Sequence, residues 1–547
     1  MPRERQYEFF VTTKEPHQLE GQDRGRIRSV VMKNFFEAQW CGGYTKSENH
    51  SKETVQRKTN LKSRFRLPKP GPRDKKTGSQ TSSEDSPKGI EHSTSSGPNT
   101  PRENRGTPRR MRAKFMLKIN PGAHLFDPFD VLPVPGTWQL NVLVKLYKSG
   151  SGINSVAINA RNSWWSFISN DAGLLHATLA TWALYGILIR GMYDLQVETI
   201  RHKNEAIKEI NNKIGSPGGK ISDELVGTVA TLASCENLLG AYDAAQLHIA
   251  ALKRMVDARG GLFAFGHNDG LMRGILWVDI HTATAFRTPP SFPKVYLDPD
   301  TPPLPEELLE EAAYTSPTCL LGLSLAGIEC FNIFYRLHRL ALAVSPRWMR
   351  SVSRLTFSNL LYETEYMQLW VPDYSRDFLD FDLDSNDEGG EALAEGAALA
   401  DSASVVEALL AASQIFIYVA LREIPPKARL FSILLERLRV ALDRPNIKTV
   451  SVWEKASNLQ MLLWVLVVAS SAAPAGGGRE WWVHRLADVV EELGVRDRRE
   501  LQEMLEKVAW TDVFFGSVLG DVWQGVDECG HAIERGQGFS MQGPASP

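Results

Sequence analysis

The chain has 547 residues, 43% of them apolar, and a net charge of −2. That is ordinary for a globular protein, with room for one large helical domain or two smaller ones beside a disordered arm. The near-neutral total hides an asymmetry: residues 1–118 hold 26 Lys and Arg against 13 Asp and Glu, and the remainder holds 36 against 51. A basic arm on an acidic body suits contact with nucleic acid or an acidic partner. A solvated tail carrying a nuclear import signal is the simpler reading of the same charges.

The five cysteines, Cys41, Cys235, Cys319, Cys330 and Cys529, show no ligand spacing. Neither a disulfide framework nor a closed zinc site is expected from them. The N-terminal sequence MPRERQYEFFVTTKEP has no apolar stretch after its charges and does not read as a secretory signal. The longest apolar run, Met461 to Ala473, falls short of the ~20 residues that span a bilayer, so a buried core helix is expected there and no membrane partner.

In chain order, residues 1–40 read as a short, partly ordered segment: Tyr7 to Val11 is apolar, and Ile27, Val30, Val31 and Phe35 share a helical face. Residues 41–118 are rich in Ser, Thr, Gly, Pro, Lys and Arg, and almost without aliphatic residues from Leu67 to Met111. Such a segment buries too little apolar surface to offset its ordering entropy, so it reads as a disordered basic linker. Residues 119–530 read as a helical domain entered through the proline-stiffened DPFDVLPVP, Asp127 to Pro135.

Within the domain, Val197, Ile200, Ile207, Ile210 and Ile214 mark one helix face, with Arg201 and Glu205 on the wet side. Trp482, Val483, Leu486, Val489, Val490 and Leu493 mark a second face, and Leu501, Met504, Leu505 and Val508 a third. Gly215–Gly219, Gly260–Gly261, Thr288–Pro290, Pro425–Pro426 and Ala475–Gly478 punctuate the pattern. Strand-like alternation is nearly missing. The expected fold class is all-α, a dozen or more helices packed in pairs, with an acidic loop at 373–404 and a disordered tail from 531.

Candidate chemistry is sparse. No Walker, GxGxxG, GxSxG or HExxH pattern occurs. Asp279 and His281 stand two apart on a helix predicted over Leu271 to Ala285, so they point in different directions and make a poor ligand pair. Cys235 beside Glu236 lacks the electropositive setting of a reactive thiol. Asp380, Asp382, Asp384 and Glu391 occupy positions one, three, five and twelve of a calcium-loop pattern. Ser385 replaces the required turn glycine and Asp387 the packing apolar residue, so an acidic surface segment is the better reading. Phe378, Leu379, Phe381 and Leu383 interleave with its aspartates, as in acidic activation segments. Two basic clusters, one with Arg73, Lys75 and Lys76 and the other with Arg109, Arg110, Arg112 and Lys114, suit nuclear import and, secondarily, phosphate contacts. Arg259 to Leu262, RGGL, reads as a helix end closed by Gly260 or Gly261, not as a ligand site.

Several stretches together resemble the fungal-specific transcription factor domain. They are FFVTTKEP (Phe9 to Pro16) with RIRSVVM (Arg26 to Met32), DPFDVLPVP, Trp164 to Leu184, His202 to Ile214, Asp223 to Gly240, His248 to Leu262, Leu421 to Phe431 and Glu500 to Trp523, in that order. The resemblance implies a helical regulatory scaffold for dimerisation or effector sensing, no enzymatic activity, and other regulatory proteins as partners. Complete members of this class open with a six-cysteine binuclear zinc cluster. Here only Cys41 precedes the helical domain, too few thiolates for that site. The expectation is therefore a regulator without cofactor or metal that reaches DNA indirectly or weakly through its basic arm. It would be nuclear, otherwise cytoplasmic, and able to form a homodimer. Two rivals stay open: a helical interaction scaffold with no transcriptional role, and an enzyme of unrecognised type. A missing exon encoding the cysteines would restore direct DNA reading.

Overall fold

A computed structural model describes residues 131–148, 164–216, 220–295, 301–314, 317–374, 390–443, 449–455, 458–474 and 477–534. Seventeen α-helices and no strand occur among them. Through the first half run α1 (Trp138–Lys148), α2 (Trp164–Ile168), α3 (Ala172–Arg190), α4 (Gln196–Gly215), α5 (Asp223–Leu239), α6 (Tyr242–Ala258), α7 (Asp269–Phe286) and α8 (Glu306–Tyr314). Then come α9 (Gly327–Ala343), α10 (Arg354–Gln368), α11 (Gly390–Phe416), α12 (Arg429–Leu442), α13 (Thr449–Lys455), α14 (Leu459–Ala472), α15 (Gly477–Glu492), α16 (Arg498–Glu506) and α17 (Asp512–Glu534).

Local sequence starts and stops these helices. Asp171, Ser222, Asn268, Ser353 and Asp497 accept from the third backbone N–H beyond them, the N-cap geometry that satisfies an otherwise unpaired donor. Gly191 and Gly240 close α3 and α5 in the left-handed conformation. Gly260 and Gly261, at φ +92° and +98°, end α6 as the RGGL reading expected.

Neighbours in sequence pack most extensively: α3 with α4 and α5, α5 with α6, α11 with α12, and α14 with α15. One connected apolar core runs from α3 to α17. At its centre α14 is buried on all sides from Met461 to Ser470, as expected of its apolar run. The Trp464 indole donates to Ala509 O at 2.7 Å, which satisfies its buried N–H, and its ring packs edge-on to Phe334. Two helical stretches, Ala172–Arg190 and Glu395–Leu421, are long and apolar enough to cross a bilayer; 61% and 94% of their apolar windows are buried inside the fold. Glu395–Leu421 is longer than the run singled out from sequence.

Three expectations need correction. Four of the five residues of the α4 stripe face outward: Val197, Ile200, Ile207 and Ile214 are exposed, whereas Ile210 is partly buried against the core and Glu198, Thr199, His202 and Ala206 are buried. The cause is close helix approach. A Cβ on Gly173 of α3 would lie 3.0 Å from Glu209 Cβ, and Ala177, Ala206 and Leu232 meet in a small cluster. Small residues permit that spacing at the closest approach, and Ile210 packs beside them. Arg201 also pairs with Glu198 rather than Glu205, which takes Lys208.

The second correction concerns the acidic loop at 373–404: residues 390–404 belong to α11, where alanine-rich helix propensity overrides Gly396. The third is at the C-terminus, where α17 runs to Glu534, past the boundary drawn at 530.

Candidate functional site

The helix face of α6 bearing Gln246, Ile249, Ala250 and Lys253 opposes the α7 face bearing Asp279, Thr282, Ala283 and Phe286. Both sets repeat at the 3–4 spacing that keeps residues on one side of a helix. Thr288, Pro289 and Ser291, from the segment after α7, close one end, leaving a cleft of about 270 Å³.

Asp279 holds the closing segment in place. Its carboxylate accepts from the backbone N–H of Ser291 at 3.0 Å and of Phe292 at 2.9 Å. Burial pushes its pKa above the usual carboxylate range, while those two N–H donors and Lys253 pull it back down. On the same wall Asn237 donates to Thr282 Oγ1 at 3.0 Å and to Val278 O at 3.3 Å, fixing α5 against α7. The cleft is amphipathic, and its buried carboxylate is engaged by the two backbone donors and the Ser291 hydroxyl.

His281 lies away from the cleft, as two-residue spacing on a helix requires. It packs against the rings of Trp277 and Tyr418, with centroids at 5.1 and 5.7 Å, and burial lowers its pKa to about 3. Thr284 donates to Ile280 O, so the Tyr418 hydroxyl, 2.9 Å from Thr284 Oγ1, is the donor of that pair. The Asp279 and His281 side chains thus point to different surroundings, as their spacing on a helix implies.

The α7 C-terminus is clamped from several helices. Arg437 of α12 donates to the carbonyls of Thr284 and Ala285, two of the orphan acceptors at a helix end. Arg287, in a left-handed conformation, reaches Glu407 of α11 and the carbonyls of Val371 and Pro372. These long-range partners were invisible to sequence patterning, which has no signal for a contact 120 residues away. Cys235 is buried, and burial with Glu236 beside it pushes its thiol up to about 12, in line with an inert core residue.

A sequence model of the fungal-specific transcription factor domain matches residues 151–510. The chain belongs to that family. No curated protein and no solved structure matches it. The matched region covers α2 to α16, so the α6–α7 cleft lies within the fungal-specific transcription factor domain. This is not an enzyme family. Among the described residues no group of three or more His, Cys, Asp or Glu is placed to hold a metal ion. The import candidates Arg73, Lys75, Lys76, Arg109, Arg110, Arg112 and Lys114 lie outside the described residues, as do Asp380, Asp382 and Asp384 of the calcium-like pattern. Glu391, its twelfth position, is on α11.

Proposed function

We propose that this protein is a transcriptional regulator that works through its helical body. The body serves as the regulatory and protein-interaction module. The observation that carries this reading is the family match over residues 151–510. The α6–α7 cleft supports it: a small amphipathic effector seated there would touch Ser291 and Asp279, and so bear on the segment that leaves the clamped end of α7. The basic clusters with Arg73, Lys75 and Lys76 and with Arg109, Arg110, Arg112 and Lys114 would supply nuclear import and weak, sequence-independent phosphate contacts.

The test is to tether the full chain to a reporter promoter through a heterologous DNA-binding domain. Reporter output severalfold above or below that of the tether alone supports the proposal. Unchanged output from a nuclear, intact fusion favours the interaction scaffold with no transcriptional role. Changing Arg109, Arg110, Arg112 and Lys114 to Ala in the untethered chain should abolish nuclear accumulation.

A further inference from the structure

Among the described residues, none covers the outward face of α4. Val197, Ile200, Ile207 and Ile214 are 71, 61, 36 and 58% exposed, and Asn204 and Asn211 between them are exposed too. Isolated exposed apolar residues are commonplace, but these six are ordered. Val197, Asn204 and Asn211 recur every seven residues, and so do Ile200, Ile207 and Ile214, three positions later. That is the a/d pattern of a coiled-coil seam, with asparagine at two a positions. Tyr193, seven residues before Ile200 and 58% exposed, continues the d line at the α4 entrance.

We propose that α4 is a self-association helix, through which two copies of this chain pair in parallel. The choice of a second copy rests on self-complementarity. In a parallel symmetric pair each a residue meets its own counterpart, so Asn204 faces Asn204 and Asn211 faces Asn211, and each amide both donates to and accepts from its twin. A purely apolar partner groove would strand two amides without hydrogen bonds.

In this register Lys203 faces Lys208 of the second copy, a like-charge contact that partners within each chain offset. The cations flanking the seam are already matched within the chain: Arg201 by Glu198, Lys203 by Glu236 on α5, and Lys208 by Glu205. The fold leaves room as well, because the buried residues Glu198, Thr199, His202 and Ala206 put the body on the side of α4 opposite the seam. The helix is already ordered by packing on α3, so association carries no cost of forming it.

Twenty residues of helix offer a strip roughly 30 Å by 10 Å, well below the ~800 Å² per partner of a standard interface. The dimer should therefore be reversible and concentration-dependent. The pairing stands apart from the transcriptional reading, since an interaction scaffold could use it equally.

Sedimentation velocity on the full chain across a concentration series tests it. The expected result is a shift from 61.0 kDa toward twice that mass, and at least a tenfold weaker association for Ile200→Glu/Ile207→Glu. Because both positions are exposed in the single chain, that variant should keep the wild-type melting temperature at low concentration. With Cys41, Cys319 and Cys529 changed to Ser, Asn211→Cys should give an oxidant-dependent crosslinked dimer that this background lacks, because full-overlap antiparallel pairing would hold the two copies of position 211, near one end of α4, far apart. A wild-type chain that stays monomeric, a dimer that survives the double glutamate variant, or dimers without the 211 crosslink would each overturn the proposal.

Discussion

Arg422 and Glu365 meet inside the fold as a two-point ion pair, Nε to Oε1 at 2.8 Å and a terminal guanidinium nitrogen to Oε2 at 2.5 Å. The guanidinium also lies over the Trp277 ring, 4.2 Å from its centroid. The two side chains are 4% and 1% exposed, so neither charge has water to fall back on. Arg422 follows the single π-helical turn Ile417–Leu421 that ends the long α11 helix, and Glu365 comes from α10. The pair thus fixes where the chain turns after α11.

Removing one partner leaves the other charge buried and unpaired. Arg422→Met or Glu365→Leu alone should cost about 3–5 kcal/mol, and the two combined should recover much of that loss. Chemical denaturation of the two single variants and the double variant checks this. Additive losses would show that each residue acts on its own. Arg422→Lys should fare poorly, because an ammonium supplies neither the two-point geometry nor the planar stack on Trp277.

Glycines at helix ends separate strain from collision. Gly260, at φ +92°, has no atom within 4 Å of where a Cβ would stand. Gly260→Val therefore carries only the cost of a strained backbone, about 1–3 kcal/mol. Gly240, at φ +75°, would place a Cβ 2.6 Å from Arg429 Cβ, so even Gly240→Ala adds a clash between α5 and α12 to the strain. Thermal unfolding should rank Gly240→Ala as the more damaging change. An unchanged melting temperature for Gly260→Val would contradict the helix-end role of RGGL.

Periodicity found most of the helices because each buries a face set by its own residues. Trp482, Val483, Leu486, Val489 and Val490 on α15 and Leu501, Leu505 and Val508 at α16 are buried as their spacing implies. It failed on α4 because period identifies a stripe without saying what covers it. There the tight contact with Gly173 and Ala177 puts Glu198, Thr199, His202 and Ala206 inside, and of the stripe only Ile210 packs beside them. The divergence of Asp279 and His281 was readable from helix geometry. Their partners were not: Phe292 is 13 residues beyond Asp279, and Tyr418 belongs to a helix far along the chain.

Buried histidines make stability depend on pH. The folded-state pKa of His281 is about 3, as is that of His202, both below the ordinary 6.5 because burial disfavours the charged ring. The unfolded chain takes up these protons first as pH falls. The stabilisation is therefore complete above about pH 6.5 and is lost progressively toward pH 3, with a slope of roughly 1.4 kcal/mol per pH unit for each such group. Asp279 and Glu365, whose pKa values burial raises, take up protons earlier in the fold than in the unfolded chain and offset part of the loss at the acid end. Denaturant midpoints at pH 7, 6 and 5 should decline, and His281→Gln should flatten the decline by one proton's worth. An unaltered slope would mean that His281 is not held neutral.

The bonds from Asp279 to Ser291 and Phe292 predict how the α6–α7 cleft responds to substitution. The carboxylate offers one oxygen to each N–H. Asp279→Asn keeps one acceptor and places an amide donor against the other N–H, so it should lose one bond and set two donors face to face. Asp279→Ala removes both acceptors and leaves Phe292 N–H, which is buried, without a partner. Each unsatisfied donor costs about 1–3 kcal/mol. Both variants should be less stable than wild type, and the segment after α7 should exchange its amide protons faster, most of all at Ser291 and Phe292. Hydrogen exchange resolved to this peptide separates a local release from a global loss of stability. If Asp279→Ala leaves exchange at 291–292 unchanged while the whole chain destabilises, the carboxylate supports α7 itself and the closing segment is held by other contacts.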